Sequence, residues 1–175
     1  ILNKSLKKNY IVNLMKCGFE YYRTQQHWFF HTFKKDDPMI QYANFLGIPP
    51  ALMKHNGGAW FVDFTKPPNY EDLTLREREQ LDLQVSLMIE KKYEFLHLDG
   101  LNKRILDKIN AERYLDNKLL IIDEVHNLTN AMTKSSGVRA TGLKKLIMEA
   151  KNLKMVFLSG TPMINNLFEA GQLFN

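Results

Sequence analysis

The chain has 175 residues, 45% hydrophobic and 25% charged, which is ordinary for a globular protein large enough to bury one core. Its longest apolar runs are strand-sized, which excludes a membrane-spanning helix, and its single cysteine excludes an internal disulfide and fits a reducing compartment. The net charge of +5 fits a polyanionic partner without requiring one.

Helical periodicity and turn residues define the elements of the first two thirds of the chain. The predicted elements are a helix from Ser5 to Lys16, a second helix from Tyr21 to Phe33, a short strand at Ala59–Phe64, a long helix from Leu73 to Lys92, a strand at Tyr93–Leu98 and a helix from Leu101 to Ile109. The long helix is amphipathic, and its apolar face consists of Leu81, Val85, Met88 and Ile89.

In the final third, apolar strands alternate with helices. The predicted elements are a strand at Leu119–Asp123, a short helix after Glu124, a polar loop at Thr133–Gly137, a helix at Leu143–Lys151, a strand at Met155–Ser159 and a helix from Asn165 onward. This alternation predicts an α/β fold with a parallel sheet covered on both faces. Ligands of such sheets bind at the carboxyl ends of the strands.

Two adjacent carboxylates end the first of these strands, Leu119-Leu-Ile-Ile-Asp-Glu-Val-His126. Neighbouring residues at a strand end point in different directions. Asp123 can therefore hold Mg²⁺, through water, while Glu124 polarises an attacking water, and phosphoryl transfer needs both groups. A solvated acidic turn after a buried strand is the alternative interpretation.

The second strand, Met155-Val-Phe-Leu-Ser-Gly-Thr-Pro162, ends in small hydroxyl residues. If the two strands are neighbours, Ser159 and Thr161 can hydrogen-bond to His126 or to a phosphate. That interaction would couple the nucleotide state to strand movement. A plain turn or helix cap is the alternative for Ser159-Gly160-Thr161-Pro162 taken alone.

These two segments resemble known motifs of superfamily 2 helicases. Asp123-Glu-Val-His126 is similar to motif II, the Walker B motif, and Ser159-Gly-Thr-Pro162 is similar to motif III in its Swi/Snf-like form. The chain most resembles the helicases of nucleocytoplasmic large DNA viruses. The stretches that carry this likeness are Ser5-Leu-Lys-Lys-Asn-Tyr10, Lys16-Cys-Gly-Phe19, Tyr22-Arg-Thr-Gln-Gln-His-Trp28, Pro68-Asn-Tyr70, Lys92-Tyr-Glu-Phe95, Asp99-Gly-Leu-Asn102 and Gly160-Thr-Pro-Met-Ile-Asn165.

The resemblance implies an incomplete first RecA-like P-loop NTPase domain over residues 1–175, with a largely helical insertion at about 18–92. It implies ATP and Mg²⁺ as cofactors, a second RecA-like domain as partner, and an intracellular location in the virion or at the viral replication site. No Gly-x-x-x-x-Gly-Lys-Ser/Thr loop occurs in the chain. In this family it would precede Ile1, so we expect the chain alone to be inactive and its Met155–Leu158 strand to have an unpaired edge.

Two segments are candidate contacts for a DNA or RNA backbone. Ser5, Lys7, Lys8 and Asn9 fall where the family places motif Ia, and a helix amino terminus with lysines suits phosphates. Gly100 and Asn102 fall in a later loop, where glycine allows close approach and the amide can donate. A capped surface helix and a plain turn are the respective alternatives.

Four other functions have less support. His27 and His31 have metal-ligand spacing on the predicted second helix, but no further zinc ligand accompanies them, and Cys17 is better interpreted as a buried small residue than as a nucleophile. A non-catalytic binding domain with the same fold is the main alternative to a motor. A metal hydrolase using Asp123, Glu124 and His126 directly would need additional ligands.

Overall fold

The computed structural model describes residues 1, 6–97, 100–128 and 138–160. They form a mixed α/β structure with two compact units, one of residues 7–94 and one of residues 1–6 and 95–175. The elements of the first unit are α1 (Lys7–Cys17), β1 (Trp28–Thr32), α2 (Met39–Phe45), α3 (Pro50–Asn56), β2 (Gly58–Val62) and α4 (Leu75–Lys92). Those of the second are α5 (Lys103–Ala111), β3 (Leu119–Ile122), α6 (Val138–Glu149) and β4 (Lys154–Phe157).

Helix α4 forms as its sequence predicts. Thr74 and Glu77 form a reciprocal capping box, in which each side chain binds the backbone amide of the other residue. The predicted apolar face is buried, with Leu81, Val85 and Ile89 fully enclosed. Lys91 and Lys92 lie in the last turn, where positive charge is favourable to the helix dipole.

The predicted helix from Tyr21 to Phe33 is wrong. This segment instead contains a 3-10 turn at Glu20–Tyr22 and strand β1, which pairs antiparallel with β2 so that Phe29 faces Phe61. The physical reason is that a run of aromatic residues fits a strand with rings on both faces. Tyr42 of α2 stacks on Phe61 on one face, and Phe30 packs edge-on against Trp60 on the other.

A buried glutamine of α4 closes the outer edge of β2. The Gln84 side chain is 1% exposed and accepts a hydrogen bond from the Trp60 amide at 2.9 Å. Its own amide group donates to the Trp60 carbonyl at 2.8 Å. The two bonds satisfy a buried strand edge as a further strand would, which explains a polar residue in this core.

The second unit is built around a parallel pair of strands. Strands β3 and β4 pair in parallel with Leu119 beside Lys154 and Ile122 beside Phe157, which confirms the predicted direction. The core of this unit consists of Leu101 and of apolar residues from α5, β3 and α6. These include Leu106, Ile109, Leu120, Ile122 and Leu143. The strong amphipathic pattern of α5 follows from this packing, since its basic residues are exposed.

A second predicted element is also wrong. Residues 93–96, expected to be part of a strand, have no regular secondary structure, and residue 97 makes only an isolated bridge. The physical reason is that α4 ends at Lys92, where the Tyr93 amide still bonds to the Ile89 carbonyl as its cap.

Within the described ranges, none of the helices is long and apolar enough to cross a membrane.

Candidate functional site

The carboxyl ends of β3 and β4 bring four of the predicted residues to one edge of the sheet. The parallel register continues past the strands, because the Leu158 amide bonds to the Ile122 carbonyl at 2.9 Å and the Val125 amide bonds to the Leu158 carbonyl at 3.1 Å. Asp123 and Glu124 form the turn after β3, and residues 125–128 are helical. Polar residues therefore lie where α/β sheets bind their ligands.

Glu124 has an unusual backbone conformation. Its φ is +50°, in the left-handed region, which costs a residue with a Cβ atom about 1–2 kcal/mol. The turn is held by the Asn127 amide, which donates to the Glu124 carbonyl at 2.9 Å. Such conformations persist where the surroundings impose them, and they cluster at functional sites.

His126 links the two strand ends. Its ring is nearly buried, and Nδ1 lies 2.9 Å from the Ser159 hydroxyl, as the sequence predicts for a contact between these segments. The same Nδ1 lies 3.2 Å from Glu124 Oε2. The sequence did not indicate this second contact, because it depends on the left-handed turn at Glu124. Thr161, the other predicted partner, lies outside the described residues.

The opposite edge of β3 pairs with Ile1. The Ile1 amino nitrogen donates to the Ile121 carbonyl, and the Asp123 amide donates to the Ile1 carbonyl at 2.9 Å. This pattern is that of a parallel bridge between Ile1 and Ile122. It fixes the backbone of Asp123 and gives the order Ile1, β3, β4 across this edge.

Strand β4 has an exposed apolar flank. In the part of the chain that the structure describes, β4 pairs with β3 alone. Met155, Val156, Phe157 and Leu158 are each 40% to 45% exposed. Such an edge is suited to pair with a further strand.

The two predicted backbone-binding segments lie in different units. Lys8 and Asn9 are exposed at the start of α1, while Lys7 is half-buried and its Nζ lies 2.8 Å from Glu90 Oε1. Ser5 lies outside the described residues. Lys8 and Asn9 are thus exposed enough to bind a phosphate. For Lys7, the Glu90 carboxylate would compete with a phosphate for the ammonium group.

Asn102 is the N-cap of α5. Its side-chain oxygen accepts a hydrogen bond from the Ile105 amide at 3.0 Å, so the residue does cap the helix after this turn. The amide group of the side chain is not used by this bond. A Cβ atom at Gly100 would meet only the His97 side chain, at 3.9 Å, so steric crowding does not require glycine there.

His27, His31 and Cys17 have separate surroundings in the structure. His27 precedes β1 and binds the Pro67 carbonyl, whereas His31 lies within β1 and binds Asp37 at 2.8 Å. Cys17 is exposed, which corrects the expected burial, because the end of α1 carries it into solvent. Over the described ranges, no group of three or more histidine, cysteine, aspartate or glutamate residues could hold a metal ion.

Sequence comparisons relate parts of the chain to proteins of large DNA viruses. A stretch of 89 residues, 50% of the chain, is 37% identical to the termination factor NPH-I homolog in four isolates of African swine fever virus. A stretch of 61 residues is 46% identical to a protein of Acanthamoeba polyphaga mimivirus named "Putative ATP-dependent RNA helicase".

These matches cover only a small part of each relative. The chain spans 12% of the length of the African swine fever virus proteins and 5% of the mimivirus protein. No model of a protein family matches the chain, and no solved structure matches it. The comparisons therefore support a relationship, at the level of a segment, to viral proteins named as a termination factor homolog and as a putative helicase.

Proposed function

We infer that the chain is part of an ATP-driven nucleic-acid motor, a helicase or translocase of superfamily 2, and that its second unit belongs to a RecA-like domain. The observation that carries this inference is the hydrogen bond between His126 and Ser159, at 2.9 Å. It joins the two segments that resemble motifs II and III, at the carboxyl ends of neighbouring parallel strands. The names of the viral relatives support the same class.

The two carboxylates suit magnesium ATP. Magnesium keeps most of its ligands as water and phosphate oxygens, so one protein carboxylate, that of Asp123, is sufficient on the protein side. Glu124 Oε2 is buried 3.2 Å from His126 Nδ1, but the Glu124 side chain as a whole is 44% exposed, so an attacking water can still reach its carboxylate. When bound, magnesium ATP supplies the γ-phosphoryl group and the neutralising charge.

We assign the two predicted backbone-binding segments to contacts with nucleic-acid phosphates. Ser5, Lys7, Lys8 and Asn9 belong to one segment, and Gly100 and Asn102 belong to the other. None of them forms a base-reading set, so recognition is through phosphates and shape. A second RecA-like domain of the same protein completes the motor, which acts in the virion or at the site of viral replication.

Replacing Glu124 by glutamine in the full-length protein tests this proposal. We expect ATP turnover with nucleic acid present to fall by about 10²-fold or more, while binding of a fluorescent nucleotide is retained, since other groups hold the phosphates. Glu112→Gln, at an exposed position of the same unit, is the matched control. Near-normal turnover in Glu124→Gln, or no turnover in the unchanged protein, would favour a binding domain that keeps the fold.

A further inference from the structure

Three lysines lie on adjacent backbones where the chain enters β3 and β4. The Lys154 amide donates to the Lys118 carbonyl at 2.9 Å, and the Asn117 amide donates to the Lys151 carbonyl at 2.8 Å. These bonds bring Lys118, Lys151 and Lys154 together at the amino ends of the two strands, which is the end of the sheet opposite to the candidate site. Like charges held this close repel one another, and an anionic partner would relieve that repulsion.

A hydrogen-bond network holds the backbone that carries these lysines. Asn117 and Asn152 both have left-handed φ, of 57° and 51°, and their side chains bond to each other at 3.0 Å. The Asp116 carboxylate accepts from the Lys151 amide at 2.9 Å and from Arg113 Nε at 2.8 Å. A surface that is already held in place loses little conformational entropy when a partner binds, which increases affinity.

The carboxylates of this region have cations of their own. Asp116 is paired with Arg113, and Glu149 Oε1 lies 3.8 Å from Lys145 Nζ. Lys151 and Lys154 are both exposed. The lysine charges are therefore in excess at this end of the unit, and they favour a partner of negative charge.

A shallow groove adjoins the lysines between the ends of α5 and α6. It holds about 230 Å³ of open space, and Ile109, Leu146 and Ala150 supply apolar parts of its lining. The ring of Tyr114 also lines the groove, and Lys118 Nζ lies 3.9 Å from the centre of that ring. An apolar wall beside cations suits a peptide in which carboxylates flank an apolar side chain, whereas a nucleic-acid backbone offers phosphates alone.

We propose that this basic groove, formed by the lining residues together with Lys118, Lys151 and Lys154, binds an acidic segment of a partner protein that inserts one apolar side chain. The nucleic acid is not the favoured occupant, because Asn102 lies at the opposite end of α5, whose nine residues span about 14 Å. The candidate site is likewise separated from the lysines by the four residues of β3, about 13 Å. A partner bound in the basic groove therefore leaves both regions accessible.

Binding of a defined peptide to the full-length protein tests the proposal. The probe is a fluorescein-labelled peptide of glutamates and aspartates with one central leucine, and fluorescence anisotropy measures its affinity. We expect saturable binding that weakens as the salt concentration rises. Lys151→Glu with Lys154→Glu should weaken binding by about 10-fold or more, because each reversal replaces an attraction by a repulsion.

The matched control reverses two charges at the far end of α5. Lys103→Glu with Arg104→Glu, both exposed, should change the affinity for the peptide by less than about threefold, since these charges are screened from the basic groove. An unchanged midpoint of thermal unfolding shows that both double variants are folded. Equal weakening in the two double variants would mean a general effect of net charge and would overturn the proposal.

The groove itself is tested through the leucine. A peptide with serine in place of leucine should bind roughly 3- to 10-fold more weakly, because it buries less apolar surface. Ala150→Leu fills the groove and should remove the difference between the two peptides. Equal affinity of the two peptides for the unchanged protein overturns the proposal, as does the absence of saturable binding up to about 1 mM peptide. If Lys151→Glu with Lys154→Glu weakens binding of a DNA duplex and not of the peptide, nucleic acid is the occupant and the proposal is equally overturned.

Discussion

Replacing Gln84 by alanine should loosen the outer edge of β2. The substitution removes two buried hydrogen bonds, at 2.9 and 2.8 Å, and leaves the amide and the carbonyl of Trp60 without these partners. Each buried unsatisfied group costs about 1–3 kcal/mol, and partial entry of water reduces the sum to about 2–4 kcal/mol. About 1.4 kcal/mol corresponds to a tenfold change in the equilibrium constant for local opening, so amide exchange in β2 should accelerate roughly 30- to 700-fold.

Hydrogen–deuterium exchange of the full-length protein, read by mass spectrometry over residues 58–62, measures this effect. Gln41→Ala removes the same side chain from an exposed position of α2 and should leave the exchange rates of β2 unchanged. A change of less than about threefold in Gln84→Ala would refute the reasoning, because the exchange rate follows the free energy of local opening.

Two other predictions concern charge. The double replacement of Lys7 and Lys8 by alanine should weaken nucleic-acid binding. The slope of log K against log salt should fall by roughly 0.7–0.9 for each lysine that binds a phosphate, and Lys8 should contribute the larger share because Lys7 is paired with Glu90. An unchanged slope would make α1 an ordinary surface helix. Hydrogen bonds from the Thr65 hydroxyl and amide, together with the interaction with Lys66, lower the pKa of Asp63 to about 2, below the value in the unfolded chain. The Asp63 carboxylate therefore stabilises the fold above about pH 4, and this contribution disappears as the pH falls through 2. Asp63→Asn should therefore lower the midpoint of thermal unfolding at pH 7 and have little effect near pH 2, and a difference independent of pH would contradict this assignment.

The sequence predicts best where one face of an element is buried and the other is exposed. Helix α4 has a capping residue, an apolar face and basic residues in its last turn, and each signal is local, so its position was predictable. Strands β3 and β4 were predictable because short apolar runs followed by polar turns are typical of parallel sheets. The contact between His126 and Ser159 followed from the parallel direction of these strands.

Strand β1 could not be predicted because its partner is distant and both of its faces carry aromatic rings. It pairs with β2, about 30 residues further along the chain, and its run of aromatic residues shows neither a clear alternating pattern nor a clear helical one. Gln84 was equally hidden, since a polar residue on an amphipathic helix looks exposed until the edge of β2 is placed beside it. Both features depend on tertiary packing that local patterns do not contain.

The candidate site depends on strand register more than on any single residue. Ile122 pairs with Phe157, and the ladder continues to Leu158, which places Ser159 beside His126. A shift of β4 by one residue would put Leu158 or Gly160 in that position and reverse the faces of the strand. Neither residue has a side-chain hydroxyl, so the ring of His126 would lose its hydrogen bond to Ser159. The contact between the two strand ends therefore persists only while β4 keeps this register along β3, and any change of register would be detected first as loss of the hydrogen bond between His126 and Ser159.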